Sequence, residues 1–139
     1  MFLSRRIPSL TPAAALALLS LMLLTGCGES DKAAVPEMPR LENSPVGAGR
    51  SVWMGTCRNC HLTGVGGAPA VTNATEWERR LAKGKEQLLQ SVLQGVNAPD
   101  GSVRMPPRGG NSQLTDDQVK AALEYKLAAI EALRSGKTP

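Results

Sequence analysis

Apolar residues recur at helical spacing near the end of the chain. Val119, Ala122, Leu123, Leu127, Ile130 and Leu133 fall on one face of a helix read over 115–134. Thr115 stands at its N-cap, Asp116 and Asp117 occupy the first turn, and Gln118 is placed to complete a capping box. A shorter run of the same period puts Leu88, Leu89, Val92 and Leu93 on the inner side of a helix over 85–94, which Gly95 stops. Thr75-Glu76-Trp77-Glu78 reads as a second capping box and predicts a helix over 75–82, with Gly84 as its interruption. A further helix over 46–59 carries Gly47 and Gly49, each of which costs about 1 kcal/mol inside a helix. Gly49 and Trp53 lie four apart on one face, so the glycine reads as a notch for a crossing helix; a frayed helix start explains it equally well. No alternation of period two survives anywhere, so the predicted class is all-α without a sheet.

The rest of the chain lacks that periodicity. Residues 61–73 are a loop rich in glycine, with Gly64, Gly66, Gly67 and Pro69, and residues 96–114 are irregular around Met105-Pro106-Pro107. At the start, Arg5 and Arg6 precede Ala13–Leu24, which is apolar apart from Ser20. Those 12 residues fall short of the roughly 20 that span a bilayer, and residues 1–26 read as an export signal. The signal ends in Leu24-Thr25-Gly26-Cys27, which resembles the lipobox of bacterial lipoproteins. That resemblance implies cleavage before Cys27, a lipid on its sulfur, and a periplasmic protein anchored to a membrane; Gly28, not being Asp, leans towards the outer membrane. An ordinary signal peptide that contains a cysteine by chance is the alternative. Residues 27–45, with Pro36, Pro39 and Pro45, read as a flexible, solvated linker that does not pack on the domain at 46–139.

Composition adds one constraint. Aromatic residues make up 3% of the chain, thin for the core of so small a domain, and a large apolar cofactor would fill the gap. Cys57-Arg58-Asn59-Cys60-His61 is the attachment pattern for one. On a helical turn these positions are neighbours, so two thiols can add to the vinyl groups of one haem c while the imidazole meets its iron. A structural zinc site needs four ligands, and His61 is the only histidine and Cys27 the only further cysteine. A redox dithiol would bring a βαβ pattern that is absent. With Cys27 assigned to lipid and the other two to haem, no disulfide remains. The sixth ligand of a cytochrome iron is commonly a thioether. Met38 falls in the linker and Met54 on the helix before the motif, where core filling is the simpler reading. Met105, stiffened by two prolines, is the candidate. The formal charge of +4 drops once Arg5 and Arg6 are set aside, leaving 14 basic against 12 acidic side chains. No basic stripe is present, which speaks against nucleic acid. Arg58, Arg104 and Arg108 flank the haem motif and the Met105 loop, where they would favour redox partner proteins with acidic docking surfaces; plain solvated surface is the alternative.

Gly49…Trp53…Cys57-x-x-Cys60-His61, Gly67-Ala68-Pro69, Met105-Pro106-Pro107-x-Gly109-Gly110 and Ala122-x-x-Tyr125 resemble the class I c-type cytochromes, in particular the cytochrome c5 type. The resemblance covers about residues 46–134. It implies a small helical shell around one covalent haem and a crossing of Gly49 and Trp53 with Ala122 and Tyr125. It also implies a hydrogen bond from His61 Nδ1 to the Pro69 carbonyl, and it leaves Trp77 as a candidate for holding a propionate. The extra cysteine pair of some c5 proteins is absent. The function implied is a periplasmic electron carrier, not an enzyme. The rivals are a haem enzyme or gas sensor with a labile sixth site, a cytochrome subunit of a larger oxidoreductase complex, and a structural lipoprotein with a chance motif.

Overall fold

The computed structural model describes residues 35–136. The export signal over 1–26, Cys27 and the linker as far as residue 34 lie outside the described residues. Helices α1 (Gly49–Val52) and α2 (Arg58–His61) are joined by a π-helical turn, Trp53–Cys57. Then follow α3 (Ala74–Leu81), α4 (Lys85–Gln94), strands β1 (Val96–Asn97) and β2 (Val103–Met105), and α5 (Asp116–Arg134). Among the described residues no helix is long and apolar enough to cross a membrane.

The long helix α5 supplies most of the core. Its predicted cap is present in both directions: Gln118 N donates to Thr115 Oγ1 at 3.2 Å, and Thr115 N donates to Gln118 Oε1 at 2.9 Å. Val119, Ala122, Leu123, Leu127 and Ile130 are buried as the period requires, with Leu133 only partly covered. Against this face lies α1, and the contact is made at Gly49. A Cβ there would sit 1.8 Å from the backbone oxygen of Ala121, so only hydrogen fits between the two helices. One turn on, the fully buried rings of Trp53 and Tyr125 meet with centroids 5.9 Å apart, tilted by 55°. Such aromatic pairs add about 0.5–1.5 kcal/mol beyond the area they bury. The notch reading of Gly49 holds, although the helix begins at Gly49 itself and not at residue 46.

Three expectations need correction. The chain is not free of strands: β1 and β2 pair antiparallel, with Val96 opposite Met105 and Asn97 opposite Val103. The cause is a turn at Asp100-Gly101. Gly101 takes φ +83°, and the Asp100 carboxylate accepts from both Ser102 N (2.9 Å) and Ser102 Oγ (2.6 Å). The sheet is a minor addition to a helical fold.

Residues 27–45 are also not solvated throughout. Met38 and Pro39 are buried, Met38 joins the core cluster, and Tyr125 Oη donates to the Pro39 carbonyl at 2.7 Å. A tyrosine hydroxyl buried at the helix crossing needs an acceptor, and the incoming chain provides it. The compact unit accordingly begins at Val35.

Finally, α3 is capped by Asn73 and not by Thr75. Its side chain accepts from Glu76 N at 3.1 Å, which makes Glu76 the third helical residue. The Glu76 carboxylate turns outward to Arg79 and Arg80.

Candidate haem site

His61 closes α2 and is only 7% exposed. Its Nδ1–H donates to the Pro69 carbonyl at 3.1 Å, as the resemblance implied. Val71 N donates back to the His61 carbonyl at 2.9 Å, so the loop clamps this residue at side chain and backbone. With the proton on Nδ1, the lone pair of Nε2 is the free end of the ring. Burial lowers the imidazole pKa to about 4, and nearby Lys126 pushes in the same direction. The ring is therefore neutral at physiological pH, the form that binds metal.

The loop holding Pro69 depends on Gly64, which takes φ +88° so that the chain can turn back within contact of its own Ala68 carbonyl. Trp77 anchors the far side: its Nε1 donates to the Ala70 carbonyl at 2.7 Å, and its ring centroid is 6.5 Å from that of His61. Since the indole has a single donor and that donor is engaged, Trp77 holds the His61 loop and not a propionate.

Cys57, His61 and Met105 line one cleft, whose remaining walls are largely apolar: Val92 from α4, Leu114, and Val119, Ala122 and Leu123 from α5. Cys57 is half-buried at the end of the π-helical turn, and burial raises its thiol pKa, with Lys126 opposing. Cys60 is exposed and does not line the cleft. The turn is defined by Arg58 N donating to the Trp53 carbonyl five residues back. Turns of this kind occur often at functional sites.

Met105 ends β2 and is the one methionine among the described residues that lines the cleft. Met38 lies in the core and Met54 packs against it, the core-filling role expected for Met54. The presentation of Met105 is built from both sides. Before it, the hairpin brings its backbone so close to Gly95 that a Cβ there would lie 2.7 Å from the Met105 oxygen. After it, Arg108 adopts φ +54°, unusual for a residue with a side chain. Its guanidinium donates to the Leu114 carbonyl at 2.9 Å and to Asp116 Oδ1 at 2.6 Å, which ties the loop to the start of α5. Arg108 is thus a loop clamp with its charge partly compensated, whereas Arg58 and Arg104 are exposed.

Two further polar groups line the cleft: the indole of Trp53, expected only at the helix crossing, and Lys126, which the sequence reading does not single out. Trp53 Nε1 is buried with no hydrogen-bond partner among the described residues. Lys126 is buried, with Nζ 4.3 Å from the centroid of the Trp77 ring. The helical period held the clue to Lys126, since it follows Ala122 by four residues and Leu123 by three on the apolar face. An apolar cleft with an imidazole, a thioether, a thiol and an unpartnered N–H fits haem, which brings a flat apolar ring, an iron and two carboxylates.

Residues 44–125 match the family model described as cytochrome C oxidase, cbb3-type, subunit III. The chain is 38% identical over 78 residues to cytochrome c-555 of Chlorobaculum tepidum, covering 56% of this chain and 70% of that protein. It is 41% identical over 69 residues to cytochrome c5 of Azotobacter vinelandii, covering 48% and 76% respectively. Among solved structures, it is similar to a chain from the electron transfer complex of nitrite reductase with cytochrome c, with a TM-score of 0.52 and 35% identity over 60% of this chain and 94% of that one.

Proposed function

We propose, since the chain belongs to the class I c-type cytochromes, that it is a lipid-anchored periplasmic electron carrier whose iron is held by His61 and Met105. It is a monohaem cytochrome with haem c attached through the C-x-x-C-H motif. The finer reading adds the two axial ligands, thioether bonds at Cys57 and Cys60, and a lipid on Cys27. The observation that carries it is the meeting of Cys57, His61 and Met105 in one apolar cleft, with the His61 ring fixed by Pro69.

The bound haem supplies a one-electron couple at its iron. The chain's own residues hold the geometry around it. Pro69 keeps the imidazole in one orientation and tautomer, and the Arg108 clamp keeps the thioether loop in place. The apolar walls exclude water, which together with thioether ligation favours the ferrous state and raises the potential. With His61 and Met105 both held in place by their loops, the protein would hold the iron on both sides and leave no position for a substrate, which is the reading of a carrier and not an enzyme. Visible spectra of protein matured in a haem-attaching host test it. A six-coordinate low-spin spectrum in both oxidation states is the expected result, and a high-spin or ligand-binding iron would favour the enzyme or sensor. The family model's own description, an oxidase subunit, favours one second reading: the cytochrome subunit of a larger oxidoreductase.

Partners on this reading are redox proteins with acidic groups facing Arg58 and Arg104, the two exposed arginines beside the haem motif and the Met105 loop. The domain division of the reading has a signal peptide over 1–26, a lipid-bearing N-terminus at Cys27 and the cytochrome domain after it, with Gly28 favouring the outer membrane. Cys27→Ser is expected to move the protein from the membrane to the soluble periplasmic fraction with its spectrum unchanged. Retention of the variant on membranes after a high-salt wash would remove the lipid anchor from the reading.

A further inference from the structure

Two buried polar or charged side chains stand out among the described residues, His61 and Lys126, and the reading above gives a role to the first alone. Lys126 extends from α5 along the wall formed by Ala122 and Leu123 and is 7% exposed. It lies over the face of Trp77, whose only donor is already engaged by Ala70. A desolvated cation–π contact offsets only part of the cost of withdrawing an ammonium from water. The contact alone does not hold the charge. No carboxylate among the described residues reaches it, since the ion pairs they form all use other basic groups. The titratable groups that face it are Cys57, His61 and Arg80 of α3, and the last adds a like charge. Burial accordingly lowers the amine pKa to about 7, with Cys57 acting against the shift and Arg80 adding to it.

The cleft therefore holds a buried amine with no anion beside it among the described residues, and the group the cleft takes carries two. We propose that Lys126 pairs with a propionate carboxylate of haem c, as the buried counter-ion on the α5 side of the site. This rests on the reading of the cleft as the haem site. The pair neutralises two charges that would each be costly to bury alone. It also offsets the negative potential that an unpaired propionate would impose on the iron, and so favours the ferrous state.

The test compares the wild-type holoprotein with Lys126→Met and Lys126→Arg. Lys126→Met keeps the bulk of the apolar stem and is expected to lower the reduction potential and to move the propionate bending band in the resonance Raman spectrum. Lys126→Arg restores both. An unmoved band overturns the proposal, whether or not the potential falls, because a fall that arginine does not restore marks loss of packing only. A measurement on the wild type is independent of how the variants fold. In the diamagnetic ferrous protein, the Lys126 Cε protons should show a nuclear Overhauser contact to a propionate methylene, and its absence is equally decisive against the pair. Wild-type protein that matures without covalent haem would instead defeat the haem-site reading itself.

Discussion

Met105→Ala is expected to abolish the weak sulfur-to-iron charge-transfer band of the oxidised protein and to leave an iron that binds added ligands. The expectation follows from where the methionines lie. Met105 lines the cleft opened by His61, while Met38 is a core residue and Met54 packs on the core through the helix side. A replacement thioether would have to come from one of these, at the cost of the packing around it. Loss of the band should therefore be complete, not partial. Met105→His should keep the iron six-coordinate, because the Pro106 and Arg108 clamp still delivers the loop. It should lower the potential, since imidazole supports the ferric state better than a thioether does. A band that persists in Met105→Ala would assign the sixth position elsewhere, and the role given to the 96–114 loop would fall with it.

The loop shows where sequence reasoning reached its limit. The flanking prolines and glycines marked Met105 as a presented residue, and that much was legible. The hairpin that presents it was missed because its strands are two and three residues long, too short for an alternating pattern to register. The Asp100-Gly101 dipeptide was the available signal. Arg108 reads as a surface charge because nothing in a sequence reveals φ +54°, or that its guanidinium reaches Leu114 and Asp116.

Local chemistry was easier to read than partnership. The Thr115 cap and the α5 face rest on residues within one or two turns, and both stand as expected. Met38 and Pro39 read as part of a solvated tether because proline and charge dominate their neighbourhood. The Tyr125 hydroxyl, 86 positions further along the chain, holds the Pro39 carbonyl, and Met38 packs into the core cluster beside it. Lys126 is hard to read for the opposite reason: it lies on a strongly apolar face, where a lysine ordinarily extends its amine to solvent.

The second large effect concerns Gly49. An alanine Cβ at this position would stand 1.8 Å from Ala121 O, 2.2 Å from Ala121 C and 2.8 Å from Ala122 N. All three are backbone atoms of α5, so no side-chain rotation relieves the clash, and the two helices must separate. Separation loosens the Trp53–Tyr125 contact one turn away and the wall that Ala122 lends to the cleft. Two effects oppose each other in Gly49→Ala. Helix propensity favours alanine by at most about 1 kcal/mol, the interior value, at this first residue of α1, while overpacking costs about 1–3 kcal/mol, occasionally more. A rigid backbone clash this short belongs at the upper end, so the net should be destabilising by about 2 kcal/mol and more for Gly49→Leu. At about 4–8 °C per kcal/mol for a domain of this size, the melting temperature of the holoprotein should fall by roughly 8–16 °C in the alanine variant, with the haem still attached. Gly55 provides the control within the same run of helix, because a Cβ there meets nothing within 4 Å. Gly55→Ala should leave the melting temperature unchanged or slightly raised. If Gly49→Ala behaves as Gly55→Ala does, propensity outweighs contact at both positions, and α1 and α5 do not cross where Gly49 lets them.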